Sequence, residues 1–283
     1  MKFSGHDSFY CKSFWLKKGY DFVCEGKNFN DENAVIDLGV GKNMVSAIRF
    51  WLKAFDIIDD NSKITEFGNK FFDNTGYDPF IENMNTLWLF HYYLVTKEYS
   101  SIYSLVFNEF RKERFEFKKD NLLQFIKNKC ATVGFPFTEN SVNTDISVFF
   151  KTYFKPDKSN SIEDEYNNLF LELNLIYSKI REKETLYFFN LEDKNDLAPE
   201  ILLFLILEKY TDTQIIDFND LLYSHNSFGS VFCLSKNNLV DKIKYLTQNY
   251  PFIVYSDDAG IGQIQLKGKL PDKWSVLDGI YKN

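Results

Sequence analysis

Two adjacent residues near the amino terminus, His6 and Asp7, are the side chains of this sequence best suited to catalysis. They lie in the run FSGHDSF, among serine and aromatic residues. A histidine beside a carboxylate can transfer protons or help to hold a metal ion. Adjacent side chains usually point apart, so a partner from elsewhere in the fold is needed for either role. The alternative is a structural turn that packs Phe3 and Phe9 into the core.

Two predicted helices carry cationic and amide side chains on the face opposite their apolar residues. In KNMVSAIRFWLKA these side chains are Lys42, Asn43, Ser46, Arg49 and Lys53. In KNNLVDKIKYLTQN they are Lys236, Asn237, Lys242 and Lys244. In a helix that enters the major groove, Arg and Lys pair with guanine and Asn pairs with adenine. We therefore predict that these residues contact DNA; the alternative is a pair of solvated helix faces on a protein-binding domain.

Other motifs indicate little further chemistry. The run DLGVGKN resembles a phosphate-binding loop, but its spacing is wrong and Asn43 stands where such loops have Ser or Thr. The four cysteines lie far apart without a CxxC pair, so neither a zinc ribbon nor a disulfide framework is predicted. The sequence contains neither HExxH nor GxSxG, and we recognise no spacing typical of a nuclease metal site.

The composition indicates a globular protein of two or three domains. The chain has 283 residues, of which 45% are hydrophobic and 18% aromatic. Its net charge of -7 disfavours general attraction to nucleic acid, so local cationic patches must supply any DNA binding. One such cluster contains Arg111, Lys112, Arg114, Lys118 and Lys119. No secretion signal or membrane span is recognised, so we expect a cytoplasmic location and no membrane partner.

The elements that position these residues predict a mainly α (α+β) fold. We expect tandem winged-helix-like units, each a helix-turn-helix with a β-hairpin wing, joined by an aromatic-rich helical segment. The predicted domains are residues 1–118, which include the connecting helices, 119–192 and 193–283. In the middle unit Thr138 should cap a helix, and REKE should form the wing tip.

The last of these units has the strongest local signals. Pro199 stands where a helix should start, and Ser235 should cap KNNLVDKIKYLTQN. The runs FIVYS and GQIQL should form a hairpin that turns at Asp257 to Gly260. These signals predict a winged helix from about residue 197 to 270.

Several long runs of the sequence resemble one bacterial family. They are FSGHDSFYCKSFWLKKGYDF, AVIDLGVGKNMVSAIRFWLKAFDIID, ITEFG, TLWLFHYYLV, FFKTYF and DDAGIGQIQL. The chain is similar along nearly its whole length to the SspB-like family, long labelled as a domain of unknown function and found in DNA phosphorothioation and phage-defence systems. The resemblance implies work on double-stranded DNA beside a cysteine desulfurase, an ATPase and an ATP-pyrophosphatase-like sulfur-transfer enzyme. It also implies nicking of one DNA strand for sulfur incorporation, but supplies no catalytic residues.

Three functions remain open at this stage. The leading one is a DNA-binding component that nicks DNA by hydrolysis, with Mg²⁺ or Mn²⁺ as the expected cofactor. The second is a non-catalytic winged-helix adaptor or transcriptional regulator that positions partner enzymes on DNA. The third is a scaffold that binds only proteins.

Overall fold

The computed structural model describes residues 1–154, 168–211, 213–258 and 260–282. About half of these residues are helical, and their strands form two antiparallel sheets of three strands each. The chain divides into two compact units, Met1–Asn190 and Leu191–Asn283. The predicted boundary at residue 192 lies beside this division, whereas the predicted boundary at residue 118 lies inside the first unit. A further division of the first unit stays a prediction.

Helices dominate the first unit. They are α1 Ser13–Cys24, α2 Ala34–Leu38, α3 Lys42–Ala54, α4 Glu66–Phe72, α5 Met84–Thr96, α6 Ser101–Ser104, α7 Arg111–Glu113, α8 Lys119–Thr132 and α9 Glu139–Tyr153. A π-helical stretch, Leu105–Phe110, connects α6 to α7 without a break. Every residue from Thr86 to Val95 in α5 is buried, as expected for a helix that is apolar on all sides. The predicted aromatic-rich helical segment is therefore the core of this unit.

The loop after α3, where the wing of the first winged-helix-like unit is expected, forms no regular strand. It contains instead a single bridge between Ile58 and Ile64, closed by the Asp59 amide donating to the Lys63 carbonyl at 2.8 Å. The intervening DDNSK is rich in residues that disfavour strands, so only the two isoleucines pair. Gly68 in α4 lies against this loop, where a Cβ would be 2.3 Å from the Ile57 carbonyl oxygen.

A three-stranded sheet completes the first unit. Its strands are β1 Glu116–Phe117, β2 Ile176–Arg181 and β3 Glu184–Phe189, in the order β1-β3-β2. Arg181 pairs with Glu184, and the two residues between them have φ of 50° and 70°, which defines a type I′ hairpin turn at the predicted REKE. Thr138 occupies the N-cap position of α9, but its side chain makes no capping hydrogen bond, contrary to prediction.

The second unit follows the predicted order of elements. It contains α10 Pro199–Lys209, β4 Ile215–Asp217, α11 Phe218–Tyr223, α12 Phe228–Val231, α13 Lys236–Asn249, β5 Ile253–Asp258, β6 Ile261–Leu266 and α14 Lys273–Tyr281. Pro199 is at the start of α10, and the Ser235 hydroxyl accepts the Asn238 amide at 3.1 Å, as predicted. The β5–β6 hairpin pairs Asp258 with Ile261, so it turns within the predicted segment, although residue 259 lies outside the described residues.

The mixed helix and strand content of both units is as predicted. Their arrangement as winged helices stays a prediction. No helix in the described ranges has the length and apolarity required to cross a membrane.

Candidate functional site

The FSGHDSF segment forms a tight turn with an unusual backbone. The Phe9 amide donates to the His6 carbonyl at 2.8 Å, and Asp7 and Ser8 between them have φ of 46° and 68°. Two positive φ values in succession define a type I′ turn, which normally contains Gly or Asn. Such left-handed residues cost about 1 kcal/mol or more each and occur preferentially at functional sites. The turn also separates the two predicted catalytic side chains, since His6 is buried and Asp7 is exposed.

Aromatic residues of α3 hold the turn in place. The His6 ring lies parallel to Trp51, with ring centroids 5.6 Å apart and an interplanar angle of 9°. Phe50 meets the same imidazole edge-on at 5.3 Å. The Trp51 indole N–H donates to the Phe9 carbonyl at 3.0 Å. Trp51 therefore contacts both the first residue of the turn, His6, and the last, Phe9.

The partner of His6 is Asp145 of α9. His6 Nε2 lies 3.4 Å from Asp145 Oδ1, and each side chain is 1% exposed. The same carboxylate oxygen accepts the Ser4 amide at 2.9 Å. Neither ring nitrogen of His6, nor Asp145 Oδ2, has a hydrogen-bond partner within the described part of the chain. Buried polar atoms without partners are uncommon in folded proteins, so this pair is the most unusual polar feature of the first unit.

Sequence reasoning did not identify Asp145, although one signal was present. Asp145 follows Val142 by three residues and precedes Phe149 by four, so it lies in the buried stripe of α9. A carboxylate at helical spacing within an apolar stripe must have a buried partner. The required partner for His6 is therefore an acid from a distant helix, and not the adjacent Asp7.

A small cavity lies beside Ser4. Its volume is about 150 Å³, and its wall includes Ser141, one helical turn before Asp145. Pockets for drug-sized ligands measure roughly 300–1,000 Å³. This cavity is too small for such a ligand.

The predicted DNA-binding residues of α3 share one side of the helix. Lys42, Asn43 and Ser46 are exposed, whereas Arg49 and Lys53 are half-buried. Arg49 donates from Nε to the Ser62 hydroxyl and from Nη1 to the Asn30 side chain, both at 3.1 Å. Lys53 Nζ donates to the Asp60 carbonyl at 2.8 Å. These two cations therefore connect α3 to its neighbouring loops.

The predicted residues of α13 divide into two groups. Lys236, Asn237 and Lys244 are exposed, but Lys242 is only 7% exposed. Its ammonium donates to the carbonyls of Lys194 and Leu197, at 2.7 and 2.6 Å. Burial lowers the pKa of Lys242 below its ordinary value. Lys242 therefore connects α13 to the Lys194–Leu197 segment in the interior of the second unit. It is too buried to belong to an exposed DNA-binding surface.

A metal site is not apparent. Among the residues that the structure describes, no three or more His, Cys, Asp or Glu side chains are grouped to hold a metal ion. Mg²⁺ is usually held by one or two carboxylates together with waters and substrate phosphates, so the expected Mg²⁺ or Mn²⁺ stays a prediction.

The fold and these features belong to one protein family. Residues 3–281 match a family model described as a protein of unknown function (DUF4007), and the protein is a member of that family. Two solved structures share the fold. The magnesium ion-bound SspB crystal structure has a TM-score of 0.87 and 23% identity, and an SspB crystal structure has a TM-score of 0.85 and 24% identity. Each comparison covers 100% of this chain and 88% of the other.

These relationships confirm the predicted resemblance to the SspB-like family. At 23% and 24% identity the structural likeness establishes a shared fold. No curated protein matches the chain significantly.

Proposed function

We propose that the protein is a DNA-binding component of a bacterial DNA phosphorothioate modification and anti-phage defence system. Support comes from membership of the DUF4007 family and from a fold shared with SspB along the whole chain. We place it in the cytoplasm with a cysteine desulfurase, an ATPase and an ATP-pyrophosphatase-like sulfur-transfer enzyme as partners. In this proposal residues 1–118, 119–192 and 193–283 each carry a winged-helix-like arrangement.

The observation that carries DNA binding is the polar side of α3. Its exposed residues, Lys42, Asn43 and Ser46, are types that contact bases and phosphates. Arg49 uses two of its five donors on Ser62 and Asn30, so its guanidinium is held in place with donors left for a phosphate. A cation that is already positioned loses less side-chain entropy when it binds.

Titration of a labelled duplex at several salt concentrations, from about 50 to 200 mM, tests this proposal. The Lys42→Ala/Asn43→Ala variant removes two exposed side chains that make no hydrogen bond or ion pair within the described ranges, and Arg49→Ala/Lys53→Ala removes the two positioned cations. We expect both to weaken binding, and each lost phosphate contact to reduce the salt slope by about 0.9.

The matched control is Lys267→Ala/Lys269→Ala, which removes two exposed cations from the second unit. It should bind duplex DNA like the parent protein. If both α3 variants also bind like the parent at every salt concentration, then α3 is not the DNA surface.

Nicking of one DNA strand is the second proposed activity. The observation that favours it is the strained turn, which presents the exposed carboxylate of Asp7 beside the buried His6–Asp145 pair. His6 is too buried to touch a phosphodiester in this conformation, so its role would be to position the turn. Within the described ranges no three or more His, Cys, Asp or Glu side chains are grouped to hold a metal, so this proposal assigns no residues to metal binding.

Supercoiled plasmid incubated with Mg²⁺ or Mn²⁺ and the partner enzymes tests nicking. We expect open-circular product, and we expect Asp7→Ala to lose it while retaining duplex binding. His6→Ala and Asp145→Asn should instead also lower thermal stability, because they disturb the buried pair. If the parent protein forms no open circles even with its partners, the non-catalytic adaptor is the correct function.

A further inference from the structure

The outer face of the sheet in the first unit carries aromatic rings and cations. Tyr177 stands opposite Phe188 in the register, and Lys179 and Arg181 follow on the same face of β2 because strand side chains alternate. Phe189 belongs to the opposite face and is buried in the core. On the Tyr177 face, Tyr177 is half-buried and Lys179 and Arg181 are exposed, so this part of the face is open to solvent.

The side chains on this face form a continuous surface. We name it the aromatic platform, and it consists of Phe115, Tyr177, Lys179 and Arg181 around Phe188, which is itself only 5% exposed. Tyr177 stacks on Phe188 with centroids 5.2 Å apart and an interplanar angle of 14°, and Phe115 meets Phe188 edge-on at 6.0 Å. Lys179 Nζ lies 5.5 Å from the Tyr177 centroid, and Arg181 Cζ lies 6.0 Å from that of Phe188.

The exposure of Phe115 is informative in this setting. Its side chain is 54% exposed, although it immediately precedes β1 and the buried Phe117. A single exposed phenylalanine needs no explanation in a soluble protein. Here, however, it meets the buried Phe188 edge-on, near the half-buried Tyr177 and two long cationic side chains. Exposed ring surface beside cations suits a planar ligand that carries negative charge.

The charge around the aromatic platform is positive within an acidic protein. Residues 111–120 and 179–184 contain eight Lys or Arg and five Asp or Glu, whereas the whole chain has a net charge of -7. Some of these cations have acidic partners, since Arg181 lies 3.7 Å from Glu116 and Lys118 pairs with Glu184. Arg114, Lys179 and Lys183 have no acidic partner among the described residues.

We infer that the aromatic platform binds single-stranded DNA. Unpaired bases stack on exposed aromatic side chains, and a cationic surround binds the phosphates between them. A duplex keeps its base faces inside the stack and presents its backbone and the base edges in its grooves instead. The choice of DNA over RNA rests on the proposed function. The site itself uses none of the α3 residues assigned to duplex binding.

Fluorescence anisotropy with an oligothymidine of about 15 nucleotides tests the inference. We expect Phe115→Ala to weaken binding about tenfold and Tyr177→Ala by a similar factor, whereas Tyr177→Phe should bind like the parent. An abasic oligonucleotide of equal length retains the phosphates without bases, so it should bind at least tenfold more weakly than oligothymidine. Lys179→Ala should lower the salt dependence of binding.

Two matched controls isolate the aromatic platform. Phe80 is 71% exposed elsewhere in the first unit, and Ile180 is 78% exposed on the opposite face of β2. Phe80→Ala and Ile180→Ala should bind oligothymidine like the parent. Arg49→Ala/Lys53→Ala should lose affinity for duplex DNA and keep its affinity for oligothymidine. The proposals for α3 and for the aromatic platform can therefore be contradicted independently of each other.

Several results overturn the inference. Equal affinity for oligothymidine and the abasic oligonucleotide would show that no base stacks. The Phe115→Ala and Tyr177→Ala variants could also keep the parent's circular dichroism spectrum and bind oligothymidine like the parent. This result would show that the aromatic platform does not bind single-stranded DNA. A tighter interaction with oligouridine than with oligothymidine would overturn the assignment to DNA.

Discussion

The two helices predicted to read DNA, α3 and α13, use similar residues in different ways. All five predicted residues of α3 lie on its partly or fully exposed side. In α13 the predicted DNA-contacting residues included Lys242. This lysine lies three residues after Leu239 and four before Leu246, in the buried stripe of the helix. A lysine that lies three or four residues from apolar residues, both before and after it in a helix, is thus on the buried face. Its ammonium must find hydrogen-bond acceptors in the interior.

The two helices also begin differently. Each has a lysine at its first residue and no acid in its first turn, so neither neutralises the positive end of its dipole. The N-cap of α13 is Ser235, whose side chain bonds the Asn238 amide, whereas Gly41 starts α3 without a side-chain cap. A side-chain cap therefore stabilises the first turn of α13, whereas the first turn of α3 has no such cap and is open.

The largest expected effect comes from Lys242→Met, which keeps the side-chain length and removes the ammonium. Two buried carbonyls then lose their donor, so we expect the second unit to lose about 1–3 kcal/mol of stability. Urea unfolding measures the loss, and Lys244→Met on the exposed side of α13 is the control. Equal stability of the two variants would contradict the interior role of Lys242.

The pH dependence of the unfolding free energy, compared between the parent protein and Lys242→Met, makes this test more specific. Because burial lowers the pKa of Lys242, the unfolded chain binds more protons than the folded one between the lowered value and the ordinary value of about 10.4. Stability from this group therefore rises with pH through that window. The stability gap between the parent and Lys242→Met should widen as the pH approaches about 10, and a constant gap would argue against the shift.

A smaller effect is expected at the start of α13. Ser235→Ala removes the hydroxyl that accepts the Asn238 amide, and loss of such a cap costs about 1 kcal/mol. Thr138→Ala is the matched control, since Thr138 occupies the N-cap of α9 without a capping bond. Thermal unfolding should show a clear decrease for Ser235→Ala and little change for Thr138→Ala. The reverse order would contradict the described caps.

The smallest effect concerns the start of α3. Gly41 has φ of -67° and ψ of 159°, and a Cβ at this position would meet nothing within 4 Å. Gly41→Ser should therefore add a cap and stabilise the first unit by a few tenths of a kcal/mol. Differential scanning calorimetry measures the gain. If the added hydroxyl also weakens duplex binding, the open first turn of α3 contributes to the DNA surface; unchanged binding would remove it from that surface.

The buried pair of His6 and Asp145 shows where sequence reasoning stopped. The prediction that His6 needed a distant partner is consistent with its geometry, but nothing near FSGHDSF indicates which helix supplies it. The Ser4 amide bonds Asp145 across 141 positions of the chain. The aromatic platform was missed for a similar reason, since Phe115, just before β1, and Phe188 of β3 come together only when those strands pair in the folded sheet.

The sequence by itself determined the features that depend on a few neighbouring residues. Pro199 started α10, Ser235 capped α13, REKE turned a hairpin, and apolar periodicity defined α3. These signals are local because helix caps, turns and amphipathic faces act over one or two turns of chain. Only the tertiary structure decided that Lys242 is buried, that His6 pairs with Asp145, and that Phe115 joins the face of Tyr177. Burial and pairing depend on which distant segments of the chain pack together. The type of a single residue does not determine which segments these are.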